Sequence, residues 1–214
     1  MISLFGVGFI GKRMCELYPQ DIAAESRESD TPKFDDIIYC IGSNTNYNFF
    51  DSLQKDIEDN LVKLNKVLKN CKNRNINFLF LSSWFVFGRL NNLPAKEEDQ
   101  GEVFGYYSIC KKAAEQMLIT FCKVYNKNYK IVRLSNVIGP GDKNVSAKKN
   151  ALTYLINKIK NNKDVDLYHG GDVIRDFIHV DDASKAIKLV FDKGENNSIY
   201  NIGSGTKIKM IEIL

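Results

Sequence analysis

Ile2-Ser3-Leu4-Phe5-Gly6-Val7-Gly8-Phe9-Ile10-Gly11-Lys12-Arg13-Met14 is the stretch whose reading decides the fold. Ile2 to Phe5 are mostly apolar and have the length of a short buried strand. A helix is expected behind the turn, through about Tyr18, where Pro19 ends it. Between strand and helix stands Gly-x-Gly-x-x-Gly, the context in which that spacing signifies dinucleotide binding. Gly6 permits the tight turn, Gly8 lets the backbone approach a pyrophosphate, and Gly11 lets helix and strand pack closely. Free amides at the start of the helix, at Phe9 and Ile10, face the anion from the positive helix end.

Outward from this unit the pattern repeats. Asp21 to Arg27 reads as a second strand, whose tip meets the adenosine ribose in such a fold. An acidic residue there favours a free 2′-hydroxyl and an arginine accommodates a 2′-phosphate. Arg27 gives a slight lean to NADP, with Glu25 and Glu28 flanking it; an exposed loop arginine is the competing reading. Asp36 to Gly42, including Cys40 and Ile41, is an uninterrupted apolar strand of the central parallel kind. It follows the second strand so soon that one α/β unit is absent or severely shortened.

Asp51 to Asn70 reads as an amphipathic helix with Leu53, Ile57, Leu61, Leu64 and Leu68 on one face and Asn60 among them. Phe78 to Ser83 is another central strand, Tyr106 to Tyr125 a helix, and Tyr129 to Leu134 one more buried strand. The alternation predicts an α/β fold, a doubly wound parallel sheet covered on both faces.

Past Gly141 the character changes. A polar loop (142–149), a helix from about Ala151 to Lys160, a short strand at Val165 to Tyr168 and a Gly170-Gly171 turn lead to Arg175-Asp176-Phe177-Ile178-His179-Val180-Asp181-Asp182. The expected organisation is a dinucleotide-binding domain over 1–140, with 176–193 packing back on it. Residues 141–175 and 194–214 form a partial substrate lobe.

Composition excludes several classes. The net charge of +4 is mild, and the lysines and asparagines are spread along the chain instead of gathered into a nucleic-acid patch. Five scattered cysteines without a Cys-x-x-Cys pair fit reduced thiols of a cytoplasmic protein better than a disulfide framework or a zinc site. With two histidines in the chain, no histidine-based metal centre is expected. The apolar start carries its charges after the apolar run and does not read as a signal peptide. No run is long enough to cross a membrane.

The chemistry centres on Tyr107 and Lys111, which stand at i and i+4 on one helix and share a face. A neighbouring ammonium lowers a phenol pKa, giving a residue able to exchange a hydroxyl proton while a nicotinamide exchanges the hydride. The same spacing recurs at Tyr154 and Lys158, so position has to choose. Tyr107 follows the Ser82-Ser83 strand by one loop, and ligand sites in such sheets lie beyond the carboxyl ends of strands. Ser83 there can hydrogen-bond the oxygen that Tyr107 protonates; a strand-end cap is its alternative role.

The stretches Gly6 to Gly11, Ser82-Ser83-Trp84-Phe85-Val86-Phe87-Gly88, Tyr107 to Lys111, Arg133 to Pro140, Arg175 to Asp182 and Tyr200 to Gly205 together resemble one family. It is the extended short-chain dehydrogenase/reductase family, in its NAD(P)-dependent sugar-nucleotide epimerase/dehydratase branch. The resemblance implies that Ser83 is the catalytic hydroxyl, Tyr107 the acid/base, and Lys111 the ribose-binding, pKa-lowering lysine. It places Cys40, Ile41, Gly42, Asn60 and Ser135 against NAD or NADP, and Asn136 and Arg175 against a nucleoside-diphosphate sugar, Arg175 at the diphosphate. A guanidinium fork suits phosphate oxygens; an ion pair with Asp176 or Asp181 is the alternative for Arg175.

The implied activity is 4-epimerisation of the sugar. The alternatives are an NADPH-dependent 4-ketosugar reductase and a nucleotide-binding subunit without turnover. The 4,6-dehydratases of the family carry Asp-Glu directly after the catalytic hydroxyl, where this chain has Trp84-Phe85. Phe5 stands where the family pattern has glycine. The resemblance further implies a substrate lobe continuing past Gly205, and is compatible with a homodimer built as a four-helix contact from 51–70 and 106–125.

Overall fold

Strands that read as continuous apolar runs do so because both of their faces are covered. In the computed structural model, which describes residues 1–43, 53–142 and 151–214, the chain runs β1 (Ile2–Phe5), α1 (Phe9–Leu17), β2 (Ile22–Ala24) and β3 (Asp36–Tyr39). Next come α2 (Leu53–Ile57), a π-helical turn (Glu58–Val62) and α3 (Lys63–Cys71), then β4 (Asn77–Ser83), a 3-10 turn (Trp84–Phe87), α4 (Tyr106–Tyr125) and β5 (Asn128–Leu134). The C-terminal part holds β6 (Asn136–Ile138), α5 (Ala151–Lys160), β7 (Ile174–Arg175), β8 (Phe177–His179), α6 (Val180–Lys193), β9 (Ser198–Ile202), β10 (Ile208–Lys209) and α7 (Met210–Ile213).

Six parallel strands form the sheet in the order β2-β1-β3-β4-β5-β9. Side chains alternate across it with period two. Phe5, Ile37, Tyr39, Phe78 and Phe80 point to one face, under Leu64, Val67 and Leu68 of α3 and Ala114, Leu118 and Cys122 of α4. Ile2, Leu4, Ile38, Leu79 and Leu81 point to the other, under Met14 of α1 and Ala183, Ile187 and Phe191 of α6. Bidentate bonds from Arg13 to Asp181, at 2.6 and 3.0 Å, tie α1 to α6.

The shortened unit is visible as a loop. No helix lies between β2 and β3; residues 25–35 return beneath α3 instead, so β2 is the sheet's edge. Polar contacts hold this loop: the Phe34 amide donates to the fully buried Ser3 hydroxyl (2.8 Å), and Arg74 donates to Asp35 (2.6 Å) and to the Pro32 carbonyl (2.6 Å).

Three local expectations need correction. Leu53 and Ile57 do not join the buried helix face; they are 39% and 38% exposed, while Asp56 and Asn60 are buried. The π turn adds a residue to the helical repeat, so the face that reaches the core through Leu64 and Leu68 continues backwards through Asn60 and Asp56. The second strand ends at Ala24, because the Glu25 carboxylate turns inward to accept the Lys33 amide at 2.8 Å. Val165 to Tyr168 is not a strand. A 3-10 turn (Tyr168–Gly171) begins there, with His169, Gly170 and Gly171 at φ of 50°, 62° and 87° curling the chain away from extension. Asp51, Ser52 and most of the polar loop 142–149 lie outside the described residues.

The small lobe is held by paired short strands, β6 with β8 and β7 with β10. Asp176 is its buckle. Its carboxylate accepts the Ser204 and Gly205 amides, both at 2.8 Å, and its carbonyl accepts the Asn136 side chain at 3.0 Å.

Candidate active site

One cleft opens beyond the carboxyl ends of β1, β3, β4 and β5, lined by Gly8, Phe9, Ile10, Cys40, Gly42, Ser83, Tyr107, Lys111, Ser135, Asn136 and Arg175 among others. Gly6, Gly11, Ile41 and Asn60 stand behind this wall. Arg27 is exposed and outside the lining. The competing Tyr154 and Lys158 lie on α5, away from the lining.

Ser83 is the last residue of β4 and Tyr107 lies in the first turn of α4, so strand end and helix start deliver the two hydroxyls to one point. Both line the cleft, where the Ser83 hydroxyl favours the ionised form of the Tyr107 phenol. The Phe85 ring stands edge-on to the Tyr107 ring, 5.6 Å away at 88°. Lys111, one turn further along α4, is buried, but its ammonium is held by the sheet: it donates to the Leu81 carbonyl at 3.1 Å and to the Ile41 carbonyl at 3.5 Å.

This corrects the expectation of an acidified phenol. Burial pushes the Tyr107 phenol up to about 12; the Ser83 hydroxyl opposes the rise and the Asp56 carboxylate adds to it. Burial lowers the Lys111 ammonium from 10.5 to about 8, against weaker support from Cys40 and Glu115.

A depressed lysine pKa means that, between about 8 and 10.5, the unfolded chain binds a proton that the folded chain has shed. Stability owed to this group therefore rises with pH across that window. Comparing wild type with Lys111→Met in urea at pH 7 and pH 10 checks it. The variant's stability relative to wild type is expected to be higher at pH 7 by about 2 kcal/mol than at pH 10.

The wall opposite Tyr107 fits a dinucleotide. Gly6 adopts φ +94°, and a Cβ on Gly11 would collide with the Gly6 carbonyl, so strand and helix approach as closely as the motif requires. Gly8 caps α1, and a Cβ there would meet nothing within 4 Å, leaving the amides at the helix start open to an anion. The Ser135 hydroxyl and the Asn60 carbonyl oxygen are buried without hydrogen-bond partners among the described residues. Asn60 itself is fixed, its amide donating to Ser43 at 2.8 Å and to the Asp56 carbonyl at 2.9 Å. These are the orphaned acceptors and the cradle that a nicotinamide dinucleotide would satisfy.

On the far side, the two carboxylates that could have neutralised Arg175 are engaged elsewhere: Asp176 with the Ser204 and Gly205 amides, Asp181 with Arg13. Arg175 donates to its own neighbour's carbonyl, Ile174 (2.9 Å), and lies over the Trp84 ring.

Sequence reasoning missed the network beneath the site. Arg133 of β5 forks onto Glu115 of α4 at 3.0 and 2.8 Å, Ser82 donates to the same carboxylate at 2.6 Å, and all three are buried. The signal was an arginine inside an otherwise apolar strand, with a glutamate four residues after Lys111 on the same helix face. Among the described residues no cluster of three or more His, Cys, Asp or Glu could hold a metal, and no helix is long and apolar enough to cross a membrane.

The model of the NAD dependent epimerase/dehydratase family matches residues 11–203. Among curated proteins, a dTDP-D-glucose 4,6-dehydratase of Dictyostelium discoideum is 25% identical over 193 residues, covering 85% of this chain and 44% of that protein. A GDP-6-deoxy-D-mannose reductase of Pseudomonas aeruginosa is 27% identical over 186 residues, covering 84% of this chain and 61% of that one. The chain thus spans about half the length of the curated relatives it matches. The UDP-glucose 4-epimerase of Thermotoga maritima, solved with UDP-glucose, shares the fold at a TM-score of 0.89 with 18% identity, over 99% of this chain and 79% of that one. A glycine cradle, a Ser83–Tyr107 pair at the strand ends and a family match across most of the sequence converge on one conclusion: the chain belongs to the NAD dependent epimerase/dehydratase family.

Proposed function

We propose that this chain performs NAD(P)-dependent inversion of the C4 hydroxyl of a nucleoside-diphosphate sugar. The observation that carries the reading is that Ser83 and Tyr107 line one cleft together, whose other wall is the Gly8 cradle. A nicotinamide bound there would supply a hydride acceptor and donor for the sugar carbon. Tyr107 takes the C4 hydroxyl proton as its phenolate, a form that Ser83 and the positive charge of an oxidised nicotinamide would favour against burial, and returns it after the keto sugar has turned. Ser83 donates to the same sugar oxygen and stabilises charge as it develops there. Lys111, Asn60, Cys40, Ile41, Gly42 and Ser135 hold the dinucleotide on one side, and Asn136 and Arg175 hold the sugar nucleotide on the other.

Dehydration is disfavoured although one relative is a 4,6-dehydratase, since Trp84 and Phe85 offer no carboxylate beside Ser83. The slight lean to NADP rests on Arg27 near the tip of β2, where the acidic neighbour Glu25 is engaged by Lys33. Exposed Leu53 and Ile57 on α2 and Ile109 on α4 are apolar positions suited to a homodimer across those helices. The proposed dinucleotide-binding domain is 1–140 with 176–193, joined by β9, which pairs with β5 in the main sheet; the proposed lobe is 141–175 with the remainder of 194–214.

A 4-ketosugar reductase would use the same three residues, and reductant separates the two. Incubation with UDP-glucose, dTDP-glucose or GDP-mannose, with catalytic NAD(P) and no added reductant, is expected to give the C4 epimer of one of them, read by NMR. Turnover that occurs only with stoichiometric NADPH and a keto sugar would establish the reductase instead.

A further inference from the structure

Trp84 is the sole tryptophan of the sequence and follows Ser83 directly. Its ring lies beneath the Arg175 guanidinium, 5.3 Å from centroid to the central carbon. The Phe85 ring is 4.2 Å from it, and Phe85 in turn meets the Tyr107 ring edge-on. Trp84 comes from the end of β4 and Arg175 from β7, so two distant segments meet at this contact, on the lining of the cleft.

A guanidinium set against a carboxylate has its charge cancelled and its fork filled. Set over an aromatic face it is held by the ring quadrupole, while its in-plane N–H groups remain available at the edge. With Asp176 and Asp181 engaged elsewhere, the indole does what a carboxylate does in an ordinary pair, without consuming donors.

We propose that Trp84 is a positioning residue for Arg175: its indole face holds the guanidinium at the cleft, leaving the donors other than the one given to the Ile174 carbonyl for an anionic group of the substrate. The inference rests on the proposed sugar-nucleotide site, the anion being the diphosphate. It makes Trp84 an internal reporter, because a diphosphate drawing on Arg175 alters the charge over the indole.

The test titrates the NAD(P)-saturated protein with UDP-glucose, dTDP-glucose and GDP-mannose, by calorimetry and by tryptophan emission. At least one probe is expected to bind wild type and shift the emission, and Arg175→Ala is expected to lose that shift. Trp84→Leu, which keeps apolar bulk without a π face, is expected to weaken binding about fivefold, and Trp84→Phe to recover it within about twofold. During turnover the loss should appear in KM, with kcat within about twofold of wild type. Binding by Trp84→Leu as tight as wild type overturns the inference and leaves the site reading intact. So does a bound probe that leaves wild-type emission unchanged, a result that needs no Trp84 variant to fold. No binding of any probe by wild type overturns both.

Discussion

Tyr107→Phe is expected to lower turnover about a thousandfold, within the range that a positioned acid/base contributes, while nucleotide-sugar affinity stays within about twofold. The split follows from what the substitution removes. The ring keeps its edge contact with Phe85 and its place in the first turn of α4; only the hydroxyl facing the cleft with Ser83 is lost. Binding rests on other residues, Asn136 and Arg175 on the sugar-nucleotide side, and they are untouched. Stopped-assay NMR for product and calorimetry for binding check both halves. Turnover within tenfold of wild type would remove Tyr107 from the chemistry, and would favour a nucleotide-binding subunit if wild type itself is inert.

Glu115→Ala is expected to destabilise the chain by about 3–5 kcal/mol, the cost of leaving a buried charge without its partner. Glu115 is fully buried and receives both arms of Arg133 and the Ser82 hydroxyl, so its removal strands a guanidinium between β5 and α4. The Arg133 guanidinium has other support, one bond to the Glu97 carbonyl at 2.8 Å and the Phe87 ring at 4.8 Å, which is too little to replace a carboxylate. Against a total stability of about 5–15 kcal/mol, this loss moves the urea midpoint far down. The double replacement Glu115→Met with Arg133→Met is expected to restore much of it, because neither charge is then stranded. A loss below about 1 kcal/mol in Glu115→Ala would show that water reaches Arg133. The network matters to function because Glu115 shares its helix with Tyr107 and Lys111, and Ser82 precedes Ser83. It sets the distance between the elements carrying the reacting groups.

The parallel sheet was legible because burial on both faces writes a recognisable run: Ile37 and Tyr39 serve one helix layer, Leu4 and Ile38 the other. The missing α/β unit was legible from the short interval between Ala24 and Asp36. The phase of the helix carrying Asn60 was not, since the π turn that rotates Leu53 and Ile57 outward is set by what Asp56 and Asn60 meet in three dimensions. Spacing put Tyr107 and Lys111 on one face, yet the ammonium's acceptors are the Ile41 and Leu81 carbonyls, and a carbonyl leaves no mark in a sequence. Arg175 had three readings by residue type alone. Only coordinates show that Asp176 is occupied by the Ser204 and Gly205 amides and that an indole, not a carboxylate, lies against the guanidinium.

The central claim is that Tyr107 exchanges a proton while the same sugar carbon gives up and regains hydride. A nucleoside-diphosphate sugar deuterated at C4, turned over with catalytic unlabelled NAD(P) and no reductant, tests it most directly by mass spectrometry and NMR. The account predicts an inverted C4 that still carries its deuterium. Product whose C4 deuterium has been replaced by protium, or recovery of only the starting sugar from every probe, would contradict it.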